Sequence, residues 1–219
     1  MASQNYLAAD FGASSGRLLA GLFDGNTLQL KEIHRFENGP VPLAGHLHWD
    51  LPRLWSELLA GLRKAKADLP AGSIASVGVD TWGVDFALLG RNQTLLGNPF
   101  HYRDLHTDGA LDRAFQVVPR EEIFAASGLQ FMQFNTLYQL LAMKEANSPL
   151  FDVAERFLMM PDVFNWLLTG EATNEYTNAT TTQFFNPVRN DWALDLLTRF
   201  GLPTGLFQPV IAPGTTVGK

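Results

Sequence analysis

The chain has 219 residues, of which 46% are apolar and 17% are charged, and its formal net charge is −6. This composition is typical of a folded protein with a packed core and excludes a disordered chain. The acidic balance disfavours nucleic-acid binding, and the absence of cysteine excludes disulfides and thiolate chemistry. Because the sequence shows neither a secretory signal nor an apolar run of ~20 residues, we expect a cytoplasmic protein without a membrane partner.

The first forty residues predict three antiparallel strands joined by two tight turns. Residues 5–10 and 17–23 are apolar runs, and residues 27–36 alternate between apolar and polar side chains. The segment 11–16 is rich in Gly and Ser, and Asp24-Gly25-Asn26 is a strong turn signal. The expected structure is an antiparallel meander.

The next segments alternate between helix and strand. Residues 37–49 are predicted as a loop, and a helix is expected after Asp50, which stands at an N-cap position before Pro52. Residues 74–79 predict a strand ending at the acidic residue Asp80. Further strands are predicted at 84–89 and 97–102, and helices at 108–118, 120–127, 136–146, 161–169 and 192–200. This order predicts an α/β protein of the ribonuclease H-like or actin-like ATPase class, with a mixed sheet, a leading antiparallel meander and a later helical subdomain.

The segment between the first two strands has the composition of a phosphate-binding turn. Small residues allow backbone N–H groups to approach phosphate oxygens closely, and serine hydroxyls add donors. Asp10 could hold magnesium through water, and Arg17 could offset nucleotide charge. The candidate phosphate contacts are Ala13, Ser14, Ser15, Gly16 and Arg17. The alternative is an ordinary hairpin turn, and the segment lacks the Gly-Lys-Ser/Thr of a P-loop.

A second candidate segment lies between two apolar strands and would suit a sugar. The face of Trp82 could pack on a sugar ring, Gly83 permits close approach of a ligand, and Asp85 could bind hydroxyl groups. The alternative is that Trp82 belongs to the core and that Asp80 and Asp85 are solvated turn residues.

Neutral polar groups follow further along the chain. Tyr102-Arg103-Asp104 forms a third segment, and Asn135 stands among neutral amides that suit a polyol, although it could equally cap a helix. His46 and His48 have metal-like spacing, but no acidic ligand lies nearby in the sequence, so we interpret them as a loop pair.

The order and spacing of these segments resemble the FGGY family of carbohydrate kinases over essentially the whole chain. Asp10, Gly12, Ser15 and Arg17 occupy the family pattern D-x-G-x-x-S-x-R. The family's W-x-D-x-R segment is matched only by Tyr102 and Asp104, whereas its later Pro-Asp and Leu-Thr-Gly segments are matched by Pro161, Asp162 and Leu168-Thr169-Gly170.

Within the family, several strings are similar to the subfamily that phosphorylates L-rhamnulose. Thr81-Trp82-Gly83 stands where glycerol kinases have Arg-Glu and xylulokinases have Met-His-Gly, which disfavours both. The similar strings are Asp10–Arg17 (DFGASSGR), Glu32–Phe36 (EIHRF), Asp80–Phe86 (DTWGVDF), Phe134–Leu140 (FNTLYQL) and Glu175–Gln183 (EYTNATTTQ).

The resemblance implies two ribonuclease H-like domains around a cleft that holds ATP and Mg²⁺, with the sugar held mainly by the N-terminal domain. It implies a catalytic and metal-binding role for Asp10, nucleotide-phosphate contacts from residues 13–17, and transfer to the sugar 1-hydroxyl. Sugar contacts are expected from Trp82, Gly83, Asp85 and Asn135. A carboxylate of the second domain would act as the general base.

Residues 1–219 would form the N-terminal domain, with 203–219 as the start of a linker and the C-terminal domain absent. We therefore expect a truncated form, a proteolytic remnant or a fragmentary gene product that is inactive alone and able to form a homodimer through exposed apolar surface. Two alternatives stay open. One is a kinase for another ketose, such as fuculose or xylulose, and the other is a non-catalytic sugar-binding module.

Overall fold

The computed structural model describes residues 4–218, which form two compact units. Within that part of the chain, the first unit comprises residues 4–41 and Trp49–Trp82, and the second comprises Pro42–His48 and residues 83–218. Residues 1–3 and 219, which the predicted domain 1–219 includes, lie outside the described residues. No helix of residues 4–218 is both long and apolar enough to cross a membrane.

The first unit is built on a four-stranded mixed sheet. The elements of this unit are β1 (Gln4–Phe11), β2 (Ser15–Phe23), β3 (Leu28–Glu37), α1 (Leu51–Asp68) and β6 (Ile74–Asp80). The strands lie in the order β3-β2-β1-β6, antiparallel within the meander and parallel between β1 and β6. The predicted meander and mixed sheet are confirmed.

Helix α1 covers one face of this sheet. It begins where the sequence predicts, because the Asp50 carboxylate accepts a hydrogen bond from the Arg53 amide at 3.0 Å. Its buried stripe includes Leu54, Leu58 and Gly61, the last of which packs against Leu18 of β2. Each buried leucine contributes about 1.5–3 kcal/mol relative to an exposed one.

The opposite face of the sheet is apolar but open. In β3, Leu28 and Leu30 are 58% and 69% exposed, and Tyr6 of β1 is also exposed. Leu30 pairs with Gly21, and a bulge at Leu18/Leu19 interrupts the predicted alternation of β3. The apolar residues of β3 therefore do not all reach the core.

Two parts of the sequence prediction require correction. The predicted loop 37–49 contains a short hairpin of β4 (Val41–Leu43) and β5 (His46–His48). The predicted strand 97–102 is not a strand, because only Phe100 forms an isolated bridge, with His48. Both corrections concern short pairings, one within a local hairpin and one between His48 and Phe100, which are distant in sequence.

The second unit is mainly helical. The predicted helices are confirmed to within two residues at each end, and α3 and α6 end at Gly128 and Gly170, which adopt the left-handed conformation. The elements are β7 (Phe86–Gly90), α2 (Ala110–Val117), α3 (Arg120–Ser127), α4 (Thr136–Glu145), α5 (Leu150–Val153), β8 (Ala154–Met159), α6 (Met160–Thr169), β9 (Asn174–Glu175), α7 (Tyr176–Ala179), β10 (Phe185–Asn186), β11 (Asp191–Trp192), α8 (Leu194–Arg199) and β12 (Val210–Ile211).

An aromatic cluster forms much of the core of this unit. Phe157, Phe184, Trp192 and Phe207 have ring centroids 5.0–6.2 Å apart. Phe207 is buried and Val210–Ile211 pairs with β9, so part of the segment from residue 203 packs on this unit. That this segment starts a linker stays a prediction.

Candidate functional site

The predicted phosphate turn joins β1 to β2 and is held by β3. The Gly12 amide donates to the Ser15 carbonyl at 2.9 Å, and the Asn38 side chain donates to the Gly12 carbonyl at 2.8 Å. A Cβ atom on Gly16 would lie 2.1 Å from the Phe36 ring, so this position requires glycine. The backbone amides of Ala13 and Ser14 have no acceptor among the described residues and can receive an anion.

A row of charged residues crosses the sheet beside this turn. Arg35, Arg17, Asp10 and Asp80 are cross-strand neighbours on β3, β2, β1 and β6. Arg17 Nε and Nη2 lie 2.8 and 2.6 Å from Asp10 Oδ2, and the Asp10 side chain is 37% exposed. The row places two cations beside two carboxylates on an open surface.

The carboxylates of this row fit magnesium bound through water. Asp10 and Asp80 offer the hard oxygen ligands that Mg²⁺ takes while keeping several waters. Among residues 4–218 no group of three His, Asp or Glu side chains could hold a metal ion. A cage made entirely of such side chains therefore does not fit the described residues, whereas a water-mediated ion beside a phosphate does.

Trp82 packs within the first unit. Its ring stacks on Trp49 with centroids 3.7 Å apart and planes 27° apart, and Trp49 is fully buried. Trp82 itself is half-buried. A sugar contact by Trp82 stays a prediction, and the stacking fixes the plane of its ring.

Gly83, Val84 and Asp85 form a strained turn in the second unit. The Asp85 amide donates to the Gly83 carbonyl at 2.9 Å, and Val84 between them has φ +68°. This is a γ-turn in its positive-φ form, which is rare and costs energy for a β-branched residue. Such a conformation persists only where the surrounding structure holds it, and residues of this kind cluster at ligand sites.

Side chains from distant segments hold this turn on both sides. The Val84 amide donates to Thr181 Oγ1 at 3.1 Å, and the Val84 carbonyl accepts from Thr136 Oγ1 at 2.6 Å. A Cβ atom on Gly83 would lie 3.0–3.2 Å from the Thr181 side chain. The space at Gly83 is thus limited by Thr181.

Asp85 is fully buried and connects this turn to two other candidate segments. Its carboxylate accepts hydrogen bonds from Gln139 Nε2 at 2.8 Å and from the Tyr102 amide at 3.2 Å. Direct contact between Asp85 and a sugar stays a prediction. In this arrangement, Asp85 orders the segment of Tyr102.

Asn135 is also buried and connects two segments. Its Nδ2 donates to Gln183 Oε1 at 2.7 Å and to the Gln130 carbonyl at 3.0 Å, and its side chain does not cap α4. Sugar contact by Asn135 stays a prediction, and the geometry favours a supporting role.

Aromatic rings surround the Tyr102 segment. The Tyr102 ring stacks on His101 at 4.7 Å and contacts Phe134 at 5.7 Å, with the Arg103 guanidinium 5.2 Å from the centre of the Tyr102 ring. Burial, and secondarily the Arg103 charge, lower the pKa of His101 to about 4, so this imidazole is neutral at pH 7. Neutral polar and aromatic groups are what a sugar site requires.

The interpretation of His46 and His48 as a loop pair without a nearby acid requires one correction. Asp104, which is distant in sequence, lies beside His46. Asp104 Oδ1 is 3.0 Å from His46 Nδ1 and 2.8 Å from His106 Nδ1. Burial opposes ionisation of Asp104, but hydrogen bonds from the Leu47 and His106 amides and from both imidazoles outweigh it and lower the pKa to about 2. The cluster anchors the hairpin of β4 and β5.

The sequence alone does not place Thr136, Gln139 and Thr181 beside the Gly83–Asp85 turn. Each lies more than 50 residues from the Gly83–Asp85 turn that it contacts. Residues 174–182 are rich in Thr and Asn, a composition that is typical of a polar loop. The positions of Asp80 and Arg35 in the charged row follow from strand register.

Comparison with known proteins agrees with this architecture. The chain is 42% identical to a rhamnulokinase of Oceanobacillus iheyensis over 97% of its length and 43% identical to one of Halalkalibacterium halodurans over 98%. It spans 45% and 46% of these two relatives. The fold matches a xylulose kinase from Rhodospirillum rubrum with a TM-score of 0.85 at 17% identity, covering 98% of this chain and 44% of that one.

The fold is therefore that of the ribonuclease H-like, actin-like ATPase class that the sequence predicts. The model of the FGGY family of carbohydrate kinases, N-terminal domain, matches residues 5–219. The chain belongs to this family and spans about half the length of the curated relatives it matches.

Proposed function

We propose that the chain is the sugar-binding and phosphate-binding half of an ATP-dependent kinase that phosphorylates L-rhamnulose at its 1-hydroxyl. The observation that carries this proposal is the 42–43% identity to two rhamnulokinases over 97–98% of the chain. The Thr81-Trp82-Gly83 segment, which differs from those expected in glycerol kinases and xylulokinases, supports the same substrate.

The phosphate turn would act on the nucleotide. The amides of residues 13–17 would bind phosphate oxygens, and Asp10 would hold Mg²⁺ through water while paired with Arg17. When bound, the metal ion neutralises charge on the transferring phosphoryl group. Two observations support this role: the Asp10 side chain is 37% exposed, and the Ala13 and Ser14 amides have no acceptor among residues 4–218.

The Gly83–Asp85 turn and its surroundings would hold the ketose. Trp82 would offer its ring, Gly83 its backbone, and Asp85 and Asn135 would support the neutral groups around Tyr102. Phosphoryl transfer depends mainly on positioning and charge stabilisation. The base that takes the hydroxyl proton is expected from the second domain, the proposed partner of this one, and the reaction would run in the cytoplasm.

The test is ketose-dependent ADP release by a full-length protein that carries this domain. We expect kcat/KM for L-rhamnulose to exceed that for L-fuculose and D-xylulose by at least about tenfold, as differences in hydroxyl placement allow. Preference for another ketose would correct the substrate. Ketose binding without ADP release would instead support a non-catalytic sugar-binding module.

A further inference from the structure

The Gly83–Asp85 turn stores backbone strain that side chains distant in sequence hold in place. Val84 is β-branched and has φ +68°, although glycine would adopt this conformation freely. Strand β7 begins only at Phe86, so the strained residue precedes the regular ladder. Strain of this kind persists only when neighbouring groups over-determine the conformation.

Thr181 is the group that fixes the amino side of this turn. Its hydroxyl accepts the Val84 amide at 3.1 Å and donates to the Asn178 carbonyl at 2.8 Å, so both of its hydrogen-bonding functions are used. Its side chain also closes the space beside the Gly83 Cα. Thr136 fixes the other side through the Val84 carbonyl.

The turn is connected to the remaining candidate segments through Asp85. Asp85 accepts hydrogen bonds from the Tyr102 amide and from Gln139, and both of these residues lie in segments with neutral polar groups. A rotation of the Val84 peptide would therefore displace Gly83 and Asp85 together. Thr181 is placed to prevent that rotation.

We propose that Thr181 is a positioning residue for the sugar: it holds Val84 in the strained conformation and so sets the place of the Gly83 backbone. The inference rests on the proposed function, since it assumes that Gly83 contacts the ketose. It assigns a role to the Thr-rich segment that follows α7, which the sequence alone presents as a polar loop.

The experiment is a double-mutant cycle in a full-length protein that carries this domain. Thr181→Val removes the hydroxyl at nearly constant volume, Thr181→Ser keeps it, and Val84→Gly removes the strain. Affinity for L-rhamnulose is measured by calorimetry, KM and kcat by ADP release, and folding by thermal denaturation.

Thr181→Val is expected to weaken ketose binding about tenfold, which corresponds to the net contribution of one hydrogen bond, and to raise KM more than it lowers kcat. Thr181→Ser is expected to restore most of the affinity. In the Val84→Gly background, Thr181→Val is expected to cost less than about threefold, because the two positions are coupled.

Equal losses in both backgrounds, or an equal loss for Thr181→Ser and Thr181→Val, would overturn the positioning role. A wild-type protein that binds no ketose would instead contradict the proposed function itself. If Thr181→Val lowers the melting temperature without changing ketose affinity, Thr181 acts only on folding and the inference is wrong.

Discussion

The two candidate turns of this protein are built in opposite ways. The turn between β1 and β2 is held by its own Gly12–Ser15 hydrogen bond and by Asn38, which directly follows β3. Asp10 and Arg17 meet on its open side. The Gly83–Asp85 turn is held by Thr136 and Thr181, which lie 52 and 97 residues from their partner Val84. One turn is defined by local sequence, and the other by the tertiary fold.

This difference shows what each turn can tolerate. An exposed turn with its own hydrogen bonds can lose a side chain without losing its shape, so substitutions there should affect chemistry more than folding. A turn held by distant partners should lose ligand binding and folding stability together, because buried polar groups left without partners are costly.

The largest effect is expected at Asp10. In a full-length protein that carries this domain, Asp10→Ala should lower kcat about 100-fold or more with little change in the ketose KM, because the carboxylate acts on transition-state charge. Steady-state ADP release measures both constants. Glu171→Ala, which removes an exposed acidic charge in the second unit, is the control; an unchanged kcat for Asp10→Ala would refute the role.

The next effect separates the two turns directly. Gly83→Val should weaken L-rhamnulose binding at least tenfold and also lower the melting temperature, because its Cβ would meet Thr181 at 3.0–3.2 Å. Gly205→Ala is the matched control, since a Cβ at that position meets nothing within 4 Å. Calorimetry that finds unaltered ketose affinity for Gly83→Val would argue against a binding role.

A pH effect is expected in the second unit. Burial raises the pKa of Asp162 to about 8, the Glu175 amide opposes this rise, and the Glu175 charge adds to it. Because the folded pKa lies above the ordinary value of 3.8, the folded state holds this proton more tightly. Stability should therefore fall as pH rises from about 4 to about 8.

The measurement is the melting temperature between pH 5 and pH 9 for the wild type and for Asp162→Asn. The side-chain amide of the variant stays neutral, and its oxygen can still accept a hydrogen bond from the Glu175 backbone amide. The melting temperature of the variant should therefore fall much less with pH than that of the wild type. An identical pH profile for the two proteins would show that Asp162 does not hold its proton in this range.

The smallest effect concerns the open face of the sheet. The isolated chain should self-associate through Leu28 and Leu30, whose side chains are mostly exposed. Leu28→Ser with Leu30→Ser should weaken the association by roughly tenfold in sedimentation measurements. Val188→Ser changes an apolar residue of the second unit that is 93% exposed and serves as the control. Equal weakening by both would exclude the sheet face.

The sequence predicted the local features of the fold and failed where distant residues meet. The meander, the N-cap at Asp50 and the left-handed ends at Gly128 and Gly170 follow from spacing and turn chemistry within a few residues. The bridge between His48 and Phe100 and the burial of Phe207 depend on contacts that no local pattern encodes.

The same limit applies to the candidate site. Asp10 to Arg17 could be proposed as a phosphate-binding segment because a strand, a small-residue turn and a charged residue are contiguous, and this role stays a prediction. The hydrogen bonds of the buried side chains Asp85 and Asn135 could not be predicted from the sequence. Their partners are polar residues without a distinctive spacing: Gln139, Tyr102 and Gln183.

The claim that this chain supplies only one half of a kinase site is tested most directly by ADP release. The purified 219-residue chain is incubated with ATP, Mg²⁺ and L-rhamnulose, in parallel with a full-length protein that carries the same domain. General-base loss alone typically costs ~10²–10⁴ in rate. We expect sugar-dependent ADP release by the full-length protein and none above background by the chain alone. Sugar-dependent ADP release by the 219-residue chain would contradict the claim that it supplies only one half of the kinase site.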